Sequence, residues 1–465
     1  MITRRIAVVG GGIAGLSAAF RLEQRRSTGV DYTLYEASDR LGGVSRTERV
    51  DGFVIEAGPD SFLTEKPWAA QLCTELGLAP DLVPSNDHQR KTFIFTNGRL
   101  VELPDGLMFM VPTKLWPMLT TPLFSLGAKL RAARERLMSP CEIENDESVA
   151  SFVTRHFGRE MVDRVAAPLL AGVYGGSADK LSVRAVLPRF VTMERESGSL
   201  VRSMLASQKK MSAVPAAPLF TTLRGGMQQL TDAVAAKLAP DAVRLNSPVW
   251  TLRQSQGAWA VVTDRGEERF DAVVLAVPAC TAADLLGTVH TPLAEELRGI
   301  PYNSSITVAL AYDAASLDAS ARARMAGFGF LVPRSEKKNL LACTFVQNKF
   351  TNRVPEGKLL LRCFVSADSN ITDVMQRSDE ELIAAIRTDL RDILGLNAEP
   401  LFTRVYRWRQ AMAQYEVGHL DRIARIESLA AELPGLALAG NAYHGIGVPD
   451  CIREGANAAE RLTSG

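Results

Sequence analysis

Three glycines, Gly10, Gly12 and Gly15, carry the most telling spacing in this chain: within VVGGGIAGLSAAF they fit G-x-G-x-x-G. A glycine at position 10 permits a tight turn. One at 12 leaves bare backbone for a pyrophosphate, and one at 15 lets a helix press against a strand. Glu36 stands about twenty residues past the last glycine, where an acid can grip a ribose hydroxyl. The stretch Asp39-Arg40-Leu41-Gly42-Gly43 then adds a second glycine pair. Together these residues predict a dinucleotide held at a helix N-terminus, where free N–H groups and the positive end of the dipole face the phosphates.

Other chemistries find little support. The six cysteines and five histidines are scattered, with no C-x-x-C and no H-x-x-x-H, which argues against a metal site or a disulfide scaffold. No Ser/His/Asp or Cys/His set stands out. A net charge of +1 gives no electrostatic case for nucleic acid. No apolar run is long enough to span a membrane. The first residues read as the start of a strand rather than a signal peptide, which suits a cytoplasmic protein.

The elements that must position these residues follow from periodicity. A buried strand, Ile6–Val9, leads through the glycines into a helix covering Leu16–Leu22, and a strand Tyr32–Tyr35 delivers Glu36. Hairpins are expected over Thr47–Glu56, turning at Asp51-Gly52, and over Lys91–Leu103, turning at Asn97-Gly98. A helix over Trp68–Leu76 is closed by Gly77.

From Leu107 to Phe124 the chain is apolar and broken by prolines; Lys129, Arg131, Arg134 and Arg136 follow. This segment could lie on a membrane surface or form the core of a helical subdomain. The modestly basic polar face favours the second. Helical signals run from Ser148 to Leu170, where Gly172, Gly175 and Gly176 interrupt them, and Gly198–Pro218 reads as a mobile connection. From Phe220 the pattern is α/β again. It has a helix over Met227–Leu238, a strand over Val243–Leu245, a hairpin of Val249–Leu252 with Trp259–Thr263, and a buried parallel strand in Phe270–Pro278. Ile306–Tyr312, Phe328–Val332, Leu340–Val346 and Lys358–Val365 suggest one partly antiparallel sheet, followed by a helix over Asp379–Leu394. Near the end, a strand over Leu436–Gly440, a glycine loop over Asn441–Val448 and a further helix place a second helix N-terminus near the cofactor.

These blocks together resemble the oxygen-dependent protoporphyrinogen and coproporphyrinogen oxidases, within the flavin amine-oxidase-like superfamily. The resemblance spans nearly the whole chain. It rests on GGGIAGLSAA, YEASDRLGGVSRT, IEAGPDSF, GVYGGSADKLS, LRGGMQQL, PYNSSITVAL, GFGFLVP, AMAQYEVGHL and GLALAGNAYHGIGVPDCIREG. It implies an α/β fold with a Rossmann-like FAD-binding domain (residues 1–85, 217–300 and 405–465). A helical, membrane-facing domain (86–216) and a mixed-sheet substrate domain (301–404, with parts of 45–105) complete it. The implied reaction is a six-electron oxidation of a porphyrinogen to the porphyrin in haem synthesis, with FAD as cofactor and dioxygen as acceptor. Hydride loss from a methylene bridge leaves a cation spread over the pyrroles, so no acid or base residue is required; the protein supplies placement and a dry pocket.

By the same resemblance, Gly10, Gly11, Gly12, Ala14, Gly15, Glu36, Arg40, Gly43 and Val44 contact FAD first. Gly58, Pro59, Asp60 and Ser61 form a loop by the flavin, and Val249 lies at the adenine end. Trp408, Ile446, Gly447 and Val448 stand near the isoalloxazine. Gly172 offers a carbonyl to pyrrole N–H groups, and Phe328, Gly329 and Leu331 wall the tetrapyrrole. Read on their own, Phe328 and Leu331 would be ordinary strand core. Arg90 and Lys91 are the cations nearest the expected propionate position, where Thr92 replaces the family's usual basic residue; otherwise they form a solvated turn. Ala413 replaces a proline, and Ser366-Ala367-Asp368 replaces a pair of glycines. A peripheral contact with the inner face of the cell membrane, a ferrochelatase-type partner, and a monomer or homodimer are the implied associations. The alternatives are an amine oxidase or carotenoid desaturase-like enzyme, or a carrier with no catalysis. Cys451, past the glycine loop, is poorly placed for covalent flavin attachment.

Overall fold

The computed structural model describes residues 3–141, 145–211, 218–255, 257–365 and 371–463, and these form two compact units. The first unit comprises residues 1–85, 218–302 and 421–465. Its centre is a parallel sheet of five strands in the order Val243–Arg244, Val30–Tyr35, Arg4–Val9, Ala272–Leu275 and Leu436–Leu438. The strands are short and almost wholly apolar because both faces are covered, one by helices and the other by the antiparallel strands Ala258–Thr263 and Gly266–Phe270, where the Tyr35 hydroxyl donates to Glu268 at 2.9 Å and its ring meets Phe270 edge-on. Val8, for example, pairs with Leu34 on one side and Val274 on the other, and none of the three is exposed.

Two helices rise from the carboxyl edge of this sheet. Ile13–Glu23 follows the first strand, and Val448–Thr463 follows the fifth. They pack closely because the facing residues are small. A Cβ on Gly455 would lie 2.0 Å from the Ala14 carbonyl oxygen, and the Ser17 hydroxyl donates to the Ile452 carbonyl at 2.7 Å. The predicted hairpin at Asp51-Gly52 forms as Thr47–Val50 with Phe53–Glu56. A three-stranded antiparallel sheet, Thr251–Ser255, Ala258–Thr263 and Gly266–Phe270, completes the unit.

The second unit comprises residues 86–217 and 303–420. A seven-stranded sheet runs in the order Phe402–Ala413, Tyr302–Asp313, Lys358–Val365, Leu340–Phe345, Gly329–Leu331, Thr92–Thr96 and Arg99–Glu102. Alternation along the strands divides its side chains between two cores. Phe95 and Phe330 join Leu382, Ile386 and Leu390 of the helix Asp379–Leu394. Ile94 and Leu331 face the helical layer with Phe152, Phe157 and Val165. That long helix begins at Ser378 with a capping box closed by Glu381, the strongest local start signal a sequence can carry.

Several expectations need correction here. Residues 405–413 belong to the edge strand Phe402–Ala413 of the seven-stranded sheet and not to the dinucleotide unit. The helical and mixed-sheet regions form one unit rather than two. Gly172 does not break a helix: it lies within Ala167–Tyr174, and Gly175 closes that helix with φ +63°. The stretch expected to be a mobile connection is helical over Leu200–Met211; residues 212–217 and Ser366-Ala367-Asp368 lie outside the described residues. The apolar 107–124 segment is divided. Met110, Val111, Met118, Leu123 and Phe124 are buried in the helical core, whereas Phe109, Trp116 and Leu119 are exposed.

Candidate functional site

The three glycines of the fingerprint differ in what forbids a side chain. Gly10 has φ +104°, and a Cβ there would sit 2.4 Å from the Ala276 carbonyl oxygen. A Cβ on Gly15 would lie 1.8 Å from the Gly10 carbonyl oxygen. Both are required by the fold. Gly12 is different. Its φ of −70° and ψ of 177° suit any residue, and a Cβ there would meet nothing within 4 Å. The space it leaves is therefore open to a ligand. Gly12 caps the helix Ile13–Glu23 without a side-chain hydrogen bond, and no acid sits in the first turn. The helix end thus offers its N–H groups and partial positive charge to an anion.

Glu36 stands beside this end. One carboxylate oxygen accepts from the Gly11 N–H at 2.7 Å, and the other from Ser38 at 2.8 Å. Its backbone is held by Arg244 and Ser247, which brings Val249 to the same edge two residues later. The Arg40 guanidinium donates to the carbonyls of Leu41, Gly43 and Ser45, fixing the glycine-pair loop. Gly58 packs on that loop: a Cβ would lie 1.9 Å from the Val44 carbonyl oxygen. The Asp60 carbonyl accepts from Thr222, and its carboxylate accepts from Ser61. The glycine loop before the final helix is tied down as well. Buried Asp450 accepts from Lys66 at 2.6 Å and from the Gly447 N–H at 3.3 Å. Arg453 stacks on Trp68 at 4.5 Å and donates to the His444 carbonyl. Gly10–Gly15, Glu36, Arg40, Gly43, Val44, Gly58–Ser61, Val249 and Ile446–Val448 are all in this unit; Trp408 is in the other.

In the second unit the expected substrate residues form two groups. Lys91 and Phe328 meet through a backbone hydrogen bond of 2.8 Å, and Gly329 and Leu331 pair with Thr92 and Ile94. Gly329 has φ +145°, and a Cβ would strike the Cys343 carbonyl oxygen at 2.0 Å, so only glycine serves. Arg90 is exposed at the entry to this hairpin, while Lys91 pairs with Glu102 at 3.2 Å in solvent.

Gly172 belongs to the other group. Gln414 donates to the Tyr174 carbonyl at 2.6 Å and to the Met412 carbonyl at 3.0 Å. Asn303 donates to the Gly175 carbonyl at 2.7 Å. Tyr415 accepts from the Ser182 N–H and stacks on His419 at 3.9 Å. Three blocks far apart in the chain, GVYGGS, PYNSS and AMAQYEVGH, therefore converge on one helix end.

Deeper in the helical layer lies a buried ionic cluster that sequence reading missed. His156 touches Glu135 and Glu194 at 3.1 Å each, and Arg155 holds Glu194 and Glu147. Glu135 also accepts from Ser199, Leu200 and Val201, capping the helix that follows. Burial opposes charge on His156, yet hydrogen bonds to Glu135 and Glu194 raise its pKa overall. Burial likewise works against the Glu194 carboxylate, but His156 and Arg155 outweigh it and bring that group down to about 2. Among the described residues, no cluster of His, Cys, Asp or Glu could hold a metal ion.

A parallel sheet held between a helical layer and a small antiparallel sheet, with a glycine-lined helix N-terminus at its carboxyl edge, defines a dinucleotide-binding α/β protein. The chain belongs to the flavin containing amine oxidoreductase family, whose model matches residues 13–463. The chain is a flavin-dependent oxidoreductase, and its cofactor is FAD. It is 34% identical to the coproporphyrinogen III oxidase of Bacillus subtilis, over 99% of this chain and 98% of that protein. The mitochondrial protoporphyrinogen oxidase of Nicotiana tabacum matches at 28% over 99% of this chain and 95% of that protein. A solved structure from Exiguobacterium sp. 255-15, provisionally named a protoporphyrinogen oxidase, superposes with a TM-score of 0.88 at 32% identity, covering 99% of both chains. A putrescine oxidase superposes at 0.71 with 20% identity and shares the fold.

Proposed function

We propose that this protein oxidises a porphyrinogen to the porphyrin, with FAD taking the electrons and dioxygen receiving them. The observation that carries the reading is the full-length likeness to the Bacillus subtilis enzyme. Coproporphyrinogen III is the preferred substrate: relatives named for it match at 32–34%, and the two plant protoporphyrinogen oxidases at 26–28%.

When bound, FAD supplies the electron sink for hydride-level oxidation. The chain's residues do the rest. Gly12 and the helix behind it hold the pyrophosphate, and Glu36 the ribose. The helix end at Gly172 accepts pyrrole N–H groups, Phe328, Gly329 and Leu331 wall the ring, and Arg90, with Lys91 beside it, reaches a propionate. Porphyrinogens prepared without oxygen and offered one at a time test this by porphyrin fluorescence, with about three peroxides formed per porphyrin. Full-rate turnover without oxygen, or no porphyrin from either substrate, would overturn it. Arg90→Ala should raise KM more than it lowers kcat, since a remote carboxylate is held alike in ground and transition states.

We also propose peripheral contact with a lipid surface. Trp116, Leu119, Leu126, Leu130 and Leu137 point outward among Lys129, Arg131, Arg134 and Arg136, a composition suited to an anionic interface. Sedimentation with anionic vesicles, lost in Leu126→Asp/Leu130→Asp, tests it.

A further inference from the structure

The helix Ala167–Tyr174 ends in carbonyls that cannot bond within the helix. The Ala171 carbonyl accepts from the Gly175 N–H at 2.9 Å. The Tyr174 carbonyl is taken by Gln414, and that of Gly175 by Asn303. Among the described residues, no hydrogen bond reaches the carbonyls of Gly172 and Val173, and both residues are exposed. The C-terminal end of a helix carries partial negative charge, so this pair of acceptors favours a ligand rich in N–H donors.

The two amides that occupy the neighbouring carbonyls are held firmly. Gln414 is buried, with 3% of its surface exposed, and a Cβ on Gly176 would lie 2.0 Å from its side-chain oxygen. Met412 closes over Gly175, its sulfur 3.1 Å from where a Cβ would be. Swinging this helix end would break both amide contacts.

We infer that Gln414 and Asn303 are positioning residues that hold the Gly172 and Val173 carbonyls as an acceptor pair selecting the reduced tetrapyrrole over the oxidised one. The inference rests on the porphyrinogen reading and deepens it. A porphyrinogen carries four pyrrole N–H donors on a flexible ring. The porphyrin keeps two and is flat. Oxidation therefore removes donors that the pair accepts, and the product is bound less well than the substrate at this end. As positive charge develops on the ring, the N–H groups become better donors, so the pair also favours the transition state.

The test compares substrate and product in one protein. In Gln414→Leu, which keeps the volume but loses the donors, kcat/KM for the porphyrinogen should fall about tenfold, the worth of one such hydrogen bond. The inhibition constant of the matching porphyrin should stay within about twofold, and the flavin absorption spectrum should not change. Asn303→Ala should act in the same direction and decides the matter should Gln414→Leu fail to fold. A merely structural role would weaken substrate and product by the same factor. That result, or unchanged kcat/KM in both variants, overturns the inference. Failure of the wild type to form porphyrin would instead remove the function reading.

Discussion

Two helix ends in this molecule invite comparison. In the first unit, Ile13–Glu23 presents its N-terminus, a row of donors with positive character. In the second, Ala167–Tyr174 presents its C-terminus, a row of acceptors with negative character. Each carries one glycine whose Cβ would meet nothing within 4 Å, Gly12 and Gly172. The first end is assembled from a contiguous run of residues. The second is assembled by Asn303, Met412 and Gln414, well over a hundred residues away. A local motif can specify one kind of site; only the finished fold specifies the other.

Substitutions at the glycines should separate these cases. Gly15→Ala should have the largest effect, because its Cβ would lie 1.8 Å from a backbone oxygen that cannot retreat. The expected outcome is loss of folded protein, seen by circular dichroism and soluble yield, with destabilisation of roughly 3 kcal/mol or more. Gly12→Val should be milder for the fold and severe for the ligand. The apoprotein should melt within about 1 °C of wild type while FAD retention collapses, since the side chain enters open space at an unstrained φ. Wild-type flavin occupancy would show that the pyrophosphate lies elsewhere.

Gly172→Ala should go the opposite way in stability. Alanine in a helix is favoured over glycine by about 0.5–1 kcal/mol, so the melting temperature should rise slightly while KM for the porphyrinogen increases. A higher melting temperature with unchanged KM would remove Gly172 from the substrate surface.

The smallest effect expected is in pH dependence. His156 has a raised pKa, so its stabilising contribution is complete below the unfolded value near 6.5 and is lost as pH rises through the folded value. Glu194 has a lowered one; its contribution is complete above about 4.5 and is lost as pH falls toward about 2. Stability from this cluster should therefore be fullest between about pH 4.5 and 6.5. His156→Gln should flatten the alkaline limb of melting temperature against pH. An unchanged limb would mean that His156 is not the group responsible.

What could be read from the sequence follows the same division. The hairpin turns at Asp51-Gly52 and Asn97-Gly98, and the helix Asp379–Leu394, were legible because their signals are local in the chain. The parallel strand Ala272–Leu275 was legible from its unbroken apolar run. Residues 405–413 are expected in the dinucleotide-binding domain but lie in the strand Phe402–Ala413, because nothing in these residues names their neighbour, Tyr302–Asp313. Gly172 read as a break because glycine usually breaks a helix, yet here packing carries the helix through to Gly175. Gln414 lies within AMAQYEVGHL, but its partner Tyr174 could not be inferred from spacing. The His156 cluster was invisible because its members come from four separate segments.

The pairing of Ile13–Glu23 with Val448–Thr463 has a consequence for biosynthesis. The two helices bury each other's small faces, yet the second leaves the ribosome roughly four hundred residues after the first. At ~5–20 residues per second that is about twenty to ninety seconds of waiting. Throughout that time Ala14 and Ser17 lack their partner, and the strand Arg4–Val9 lacks Ala272–Leu275 for more than half of it. The strand Arg4–Val9 and the helix behind it therefore stay without their full packing surface until the last helix has been made.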